Sequence, residues 1–436
     1  MSKTCWAPLW HIYQPPVQTK EWLIKISEES YKQIIELYKS HPKCKFTLNI
    51  NASLTLLLQE HGLDDIIQGF KELAERGQME FVSTTAFHTL CPLLPQKEII
   101  RQIKLNDRIN KRAFGKVYKP TGVWLPEMAY APHVTPAIAK AGYSWITLAG
   151  VASNGNWTNK GWHKIKYDNH ELKVVFRDDV VSLNIGFGRT DGNFVNQLLK
   201  GSYCFTALDG ETIGHHVKSM VDGMKKTLDE IERRDDIESI TVSEIFERFP
   251  FLGYIEALPS SWSTTYEDIK EGNYFPLWLE KNKEPFKTAH ELAWKHLHLV
   301  INATYYAEKK INGDLKQRRL FKEARELLDK GEHSCMYWWF TRDDWHRDPV
   351  RFLVGLEIQN KALLKLGQAI NDEKITRAIE EAQHIREKIF QTMLNSSKSF
   401  SNLFNAFIFS KSFNFACLIA SLKNSMDSSY VFLSTG

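Results

Sequence analysis

Residues 45–84, KFTLNINASLTLLLQEHGLDDIIQGFKELAERGQMEFVST, decide the fold class. The runs 45–50 and 79–84 are short, apolar and rich in β-branched and aromatic residues, as expected for strands. Between them, 63–76 is amphipathic at helical spacing, which gives a strand, a crossover helix and a second strand. A helix long enough to return the chain makes the two strands parallel neighbours.

The same alternation extends outward in both directions. Further strands are expected at 5–12, 122–125, 144–148, 173–176 and 202–208, with amphipathic helices at 29–39 and 96–112. Repeated β-α units of this kind build a parallel sheet or barrel. The segment 160–169, bounded by Gly161 and polar residues, reads as a hairpin or insertion instead of a crossover. Beyond about residue 215 the pattern turns helical. Val217, Met220, Val221 and Met224 share one face of 215–232, and helices follow at 285–309, 315–330, 349–366 and 373–393. The expected organisation is therefore α/β: a barrel over 1–260 and a helical region over 261–395 packed on it and completing a cleft. A tail at 396–436 carries the apolar run LFNAFIFSKSFNFACLIASL, interrupted by Lys411 and two Asn, and reads as a docked helix sooner than a membrane anchor.

Composition narrows the function. Among 436 residues, 43% are hydrophobic and 25% charged, which suits a large core and excludes disordered and collagen-like classes. With 56 Lys plus Arg against 52 Asp plus Glu, interspersed, neither nucleic acid nor an anionic membrane is an expected partner. The six cysteines form no C-x-x-C pair, and MSKTCWAPLW has no charged leader ahead of a long apolar stretch, so reduced thiols and a cytoplasmic location are expected. Neither G-x-G-x-x-G nor G-x-x-x-x-G-K-[ST] occurs, and no nucleotide cofactor is implied. The 13 Trp, 15 Tyr and 25 Phe stand out, several Trp lying beside polar residues. Aromatic planes pack on the C–H face of a pyranose while polar neighbours take its hydroxyls, so a sugar cleft would account for part of them, a core for the rest.

In parallel α/β folds the chemistry gathers at the C-terminal strand ends. The first strand ends in His11, Tyr13, Gln14, Pro15 and Pro16; Gly77, Gln78 and Glu80 open the third; the fourth runs through Trp124, Leu125, Pro126 and Glu127; Asp209, Gly210 and Glu211 close the seventh. Processing an acetal carbon needs two carboxyl groups, one to attack or stabilise and one to move a proton. Glu127 and Asp209 both follow strands and sit beside turn-permitting residues. Taken singly, each reads as well as a cap or turn residue, His11 as a core histidine, and Trp338 and Trp339 as core.

Together the segments resemble glycoside hydrolase family 57, whose members act on α-glucans and related α-glycosides. Over roughly the first 345 residues, short motifs fall in the family's order. HIYQPP is similar to H-x-H-Q-P-P, GQMEFV to G-Q-x-E, VWLPEMA to the nucleophile segment W-L-x-E, and TALDGETIG to the acid/base segment D-G-E. VFRDDVVSLNIGF is similar to F-R-D-x-x-x-S-D-x-I-G-F, and HSCMYWWF to a late aromatic segment that helps close the cleft. The resemblance implies an incomplete (β/α)7 barrel followed by helices, with Glu127 as nucleophile and Asp209 as acid/base of a retaining displacement. It also implies substrate contacts from His11, Tyr13, Gln14, Glu80, Trp124, Arg177, Asp178, Glu211, Trp338 and Trp339 on an oligo- or polysaccharide, with no metal and no cofactor.

Two positions depart from the pattern. Tyr13 stands where the family has a second histidine, and Leu183 where the F-R-D segment has an aspartate. They leave open a non-catalytic carbohydrate-binding relative. A metal-dependent deacetylase or mannosidase on a related barrel is the other alternative, but no H-x-x-x-H pair occurs. His290 and His296 in HELAWKH lie about 240° apart around a helix and cannot share a face. Hydrolysis, transglycosylation and branching are not distinguished by these motifs.

Overall fold

The first strand, β1 (Thr4–Ile12), is buried along its whole length, as a strand covered on both faces must be. In the computed structural model, which describes residues 3–189, 194–341 and 348–396, it lies at the centre of a parallel sheet. The chain divides into two compact units, Met1–Tyr274 and Phe275–Gly436.

In the first unit the strands are β1, β2 (Phe46–Ile50), β3 (Met79–Val82), β4 (Gly122–Trp124), β5 (Trp145–Leu148), β6 (Trp162–Tyr167), β7 (His170–Phe176), β8 (Tyr203–Asp209), β9 (Ile237–Ser239) and β10 (Phe251–Tyr254). One sheet runs β3-β2-β1-β8 with β9 on β1, the other β10-β6-β7-β5-β4. A parallel bridge between Ser83 and Val123 carries β3 onto β4. Thus β8, β1, β2, β3, β4, β5 and β7 form a seven-stranded parallel wall. At the β7/β8 seam the Asp178 N–H reaches the Phe205 carbonyl at 2.8 Å, but no ladder forms among the described residues. This is the incomplete (β/α)7 barrel. The expected hairpin is β6–β7, the antiparallel pair, with Tyr167 opposite His170.

Strand alternation sorts the side chains. Trp6, Trp10 and Ile12 of β1 enter a core shared with the outer helices, while Cys5, Ala7 and Leu9 enter an inner cluster with Trp124, Phe205 and Ala207. His11, two residues after Leu9, continues the inner row at its open end.

The helices of this unit are α1 (Lys20–Ile26), α2 (Lys32–Ser40), α3 (Ala52–Glu60), α4 (Asp64–Glu75), α5 (Gln96–Phe114), α6 (Thr135–Ala141), α7 (Asp179–Gly186), α8 (Met220–Arg233), α9 (Val242–Arg248) and α10 (Tyr266–Lys270). The sequence predicts one helix over 29–39. Instead a π-turn, Ser27–Tyr31, joins α1 to α2. Its carbonyl at Glu29 would lie 2.0 Å from a Cβ on Gly214, whose φ is +91°, so only glycine lets the strand-end loop after β8 come this close. The helix expected over 215–232 begins at Met220, because Val217 is drawn into a bridge with Ile213.

The second unit consists of α11 (Phe286–Glu308), α12 (Leu315–Gly331), α13 (Cys335–Trp338), α14 (Pro349–Ala369) and α15 (Glu373–Ser396). Gly331 and Gly355 admit close packing: a Cβ on Gly331 would lie 2.9 Å from Gln359 Cγ, and one on Gly355 2.6 Å from Met336 Sδ. His290 and His296 are both buried but face different partners, the Tyr337 carbonyl at 3.0 Å and Gln359 Oε1 at 2.8 Å. Burial pushes each imidazole down to about 4, so both are neutral core histidines. The apolar run in the tail lies outside the described residues.

Candidate active site

The register of the barrel brings the strand-end motifs together. His11 on β1 is level with Asn49 on β2 and with Asp209 on β8. Directly after Asp209, a Cβ on Gly210 would lie 2.6 Å from Ile12 Cγ2, so glycine alone lets β8 turn away against β1.

Glu127 follows β4 in a tight 3-10 turn, with φ 60° and ψ 13°, and Met128 after it has φ 48°. Left-handed backbone at two successive non-glycine residues costs about 1–3 kcal/mol each and persists only where the surroundings enforce it. Here Trp262 enforces it. Its N–H donates to the Glu127 carbonyl at 3.0 Å and its indole Nε1 to Glu127 Oε2 at 2.9 Å.

The carboxyl groups of the site are all pushed up. Glu127 rises to about 8 through burial first and the nearby charge of Asp209 second, with the Trp262 hydrogen bond opposing. Asp209 rises to about 6 by burial, opposed by the Arg177 guanidinium. Arg177 itself is buried, donating to the Ala207 carbonyl at 2.7 Å and to Asp179 Oδ1 at 2.9 Å, with its guanidinium 5.7 Å from the centre of the Trp262 ring.

Glu211 belongs to a network one layer away. Its Oε1 accepts from Tyr31 Oη at 2.5 Å, Gln14 Nε2 at 3.1 Å and the Tyr13 N–H at 3.2 Å, and burial with repulsion from Asp209 raises it to about 7. The π-turn is what carries Tyr31 there, while Ser30 Oγ donates to the Gly210 carbonyl at 2.9 Å. Gln14, Tyr13 and Glu211 thus come together, with Tyr31 as a member the sequence did not single out.

The aromatic and histidine side chains form a stack. Trp124, fully buried, lies face to face with His11 at 4.1 Å between centres, and Tyr13 with His88 at 4.1 Å. His11 Nδ1 meets Asn49 Oδ1 at 2.7 Å, and its Nε2 meets His88 Nε2 at 3.0 Å. His88 Nδ1 then faces Glu127 Oε1 at 3.8 Å.

Two expectations are corrected. Glu80 does not reach the site: it is level with Thr47, two residues before the His11 layer, and its carboxylate takes Thr47 Oγ1 at 2.8 Å, the Ser243 N–H at 2.9 Å and the Ser243 hydroxyl at the start of α9. Asp178 is the N-cap of α7, accepting from the Val181 N–H at 3.0 Å. Leu183, where an aspartate was expected, is exposed on that helix. Trp338 and Trp339 lie at the end of α13 in the second unit, Trp339 buried beneath the Arg351 guanidinium, 5.1 Å from the ring centre.

His88, Trp262, Asn49 and Tyr31 were missed. Trp262 carried a signal, a lone Trp among serines and threonines. His88 carried none: it lies in a loop after β3 with φ 55°, and only the fold aims it.

An open-seamed barrel of seven parallel strands with a buried and a half-buried carboxyl group, Glu127 and Asp209, at its C-terminal end fits the glycoside-hydrolase class of β/α barrels. The chain belongs to glycosyl hydrolase family 57, whose model matches residues 7–257. It is 33% identical over 151 residues to alpha-amylase 1 of Dictyoglomus thermophilum, an alignment covering 34% of this chain and 21% of that protein. It is 24% identical over 388 residues to a putative alpha-amylase of Methanocaldococcus jannaschii, covering 82% of this chain and 80% of that one. The chain thus spans about a fifth of the first relative's length and four fifths of the second's. The crystal structure of a family 57 branching enzyme from Pyrococcus horikoshii superposes with a TM-score of 0.68 at 16% identity, covering 91% of this chain and 96% of that one, and shares the fold.

Proposed function

We propose that the protein cleaves or transfers α-glycosidic bonds of α-glucans or related α-glycosides with retention of configuration. The observation that carries this reading is the pair Glu127, buried, and Asp209, half-buried, at the C-terminal ends of β4 and β8, with the charge of Asp209 raising Glu127. Glu127 attacks the anomeric carbon while Asp209, holding a proton, gives it to the leaving oxygen; water or a second sugar then resolves the glycosyl-enzyme with Asp209 as base. Burial supplies the raised acid that such chemistry needs at neutral pH. The names of the relatives, an alpha-amylase among them, support a neutral glucan as the substrate class, and the balanced charge suits one. His11, Tyr13 and Arg177 remain the sugar-contacting candidates of the first unit. No helix among the described residues is long and apolar enough to cross a membrane, and Cys5, Cys44, Cys91, Cys204 and Cys335 are free thiols, which suits a reducing, cytoplasmic setting.

The test is a product ladder from maltooligosaccharides compared with a Glu127→Gln control. Shorter products alone indicate hydrolysis, longer and shorter ones together indicate transfer, and an unchanged ladder in the wild type overturns the reading.

A further inference from the structure

Strand β8 ends in Asp209, and its two edges are held differently. Along one edge it is laddered to β1 as far as His11, which lies opposite Asp209. Along the other it meets the seam, where no ladder forms among the described residues and the backbone groups need other partners. They find them in the segment after β7. The Phe205 carbonyl takes the Asp178 N–H at 2.8 Å, the Ala207 N–H reaches Ser182 Oγ at 3.3 Å, and the Ala207 carbonyl takes Arg177 Nε at 2.7 Å. Phe205, Ala207 and Asp209 alternate onto one edge and one face of the strand, so of these three contacts the one from Arg177 lies nearest Asp209 along the seam.

Arg177 is itself anchored. Its N–H donates to the Leu148 carbonyl at 2.8 Å, and its Nη1 donates to Asp179 Oδ1 at 2.9 Å, while Asp179 Oδ2 takes the Val151 N–H at 3.0 Å. A Cβ on Gly150 would lie 2.6 Å from the Arg177 carbonyl and 2.8 Å from Asp179 Oδ2, so only glycine lets the turn after β5 come this close. Trp262 covers the guanidinium with its ring centre 5.7 Å away, and Arg177 is 4% exposed. The side chain therefore braces β8 against the ends of β5 and β7. Its bond to the Ala207 carbonyl is charge-assisted, and the planar guanidinium fixes the direction of that bond, which an ammonium does not.

We infer that Arg177 is the positioning residue for Asp209 on the seam edge: by closing the seam at Ala207 it sets the distance and angle from which Asp209 gives its proton to the leaving oxygen. The inference rests on Asp209 being the acid/base of the proposed reaction.

The experiment compares kcat/KM, which reads the steps up to formation of the glycosyl-enzyme, on a maltooligosaccharide and on α-maltotriosyl fluoride. A sugar leaves as an alkoxide unless Asp209 protonates it, whereas fluoride leaves without a proton, so a displaced Asp209 harms only the first substrate. Asp209→Asn shows that pattern at full size. Arg177→Met removes the cation, and Arg177→Lys keeps the charge without the directed bond. For both, kcat/KM should fall roughly 10- to 100-fold on the maltooligosaccharide and about threefold or less on the fluoride. Equal losses on the two substrates overturn the inference, with a raised KM showing a sugar contact and an unchanged KM a structural role only. Full activity of Arg177→Lys also overturns it, since charge alone would then suffice. Should both variants fail to fold, Asp179→Asn loosens the same brace from a partly exposed position, and an unchanged ratio between the two substrates overturns the inference there. Wild-type protein inert toward both substrates, or Asp209→Asn losing equally on both, overturns the proposed reaction and this inference with it; a wild type active on both, with selective loss in Asp209→Asn and uniform loss in the Arg177 variants, overturns the inference alone.

Discussion

Trp262 grips Glu127 at two points, the indole Nε1 on the carboxylate Oε2 at 2.9 Å and the backbone N–H on the carbonyl at 3.0 Å. One contact enforces an unfavourable backbone and the other stabilises a buried charge. Replacing Trp262 by Phe keeps the first and removes the second. A donor to the charged form is lost, so the Glu127 midpoint should rise, and kcat/KM on a maltooligosaccharide should fall roughly 10- to 100-fold, the cost of one hydrogen bond to a charged group. Circular dichroism should be unchanged, since the backbone contact remains.

The pH profile follows from the pair. On the proposed mechanism, turnover needs one proton shared between Glu127 and Asp209, whose raised values are about 8 and about 6. Below about 6 both are protonated and no nucleophile exists; above about 8 both are ionised and no acid remains. We expect kcat/KM to be bell-shaped with its maximum near pH 7, the two limbs belonging to the pair and not to single residues. A profile flat from pH 5 to pH 9 would contradict the shared proton.

The site also costs stability, in a direction that can be measured. Glu127 is held above its unfolded value of about 4.3, so the folded state binds more protons between that value and about 8. Stability contributed through this group is complete at low pH and lost as pH rises through about 8. Glu127→Gln cannot ionise. Its denaturant midpoint should exceed that of the wild type at pH 9, by free energy on the order of a few kcal/mol, and the advantage should shrink toward pH 5. A constant difference at both pH values would show that the group is solvated.

How much of this could be read from residues alone depends on what each feature rests on. The parallel strands were legible because burial on both faces leaves continuous apolar runs, as in TCWAPLWHI. Helix α3 was not, because ASLTLLLQE is apolar without a clear face, most of its residues being buried. The π-turn was hidden inside a segment with ordinary helical spacing, and only the contacts of Tyr31 and Ser30 with the strand-end loop after β8 expose it. Glu127 and Asp209 were visible through their turn neighbours. Glu80 was misread for a geometric reason: a motif residue at the start of β3 lies at the far end from the site. His88 and Trp262 come from loops about 40 and 135 residues from Glu127, and nothing short of the folded barrel brings them to it.

Gly210 links the fold to the chemistry most tightly. Its added methyl would press on Ile12 Cγ2 at 2.6 Å and on Ile34 Cδ1 at 3.2 Å, and the residue before it is Asp209. Gly210→Ala should destabilise the protein by about 1–3 kcal/mol, the usual cost of overpacking, measured as a lower denaturant midpoint. Relief must come from β8 moving away from β1, which carries Asp209 off its line with His11. Activity should therefore fall by more than the loss of folded protein explains. Adding Ile12→Ala removes the nearest obstruction. The double variant should then recover part of both losses, whereas recovery of stability without activity would show that Asp209 is positioned by Arg177 and the following turn instead of by the contact between β8 and β1.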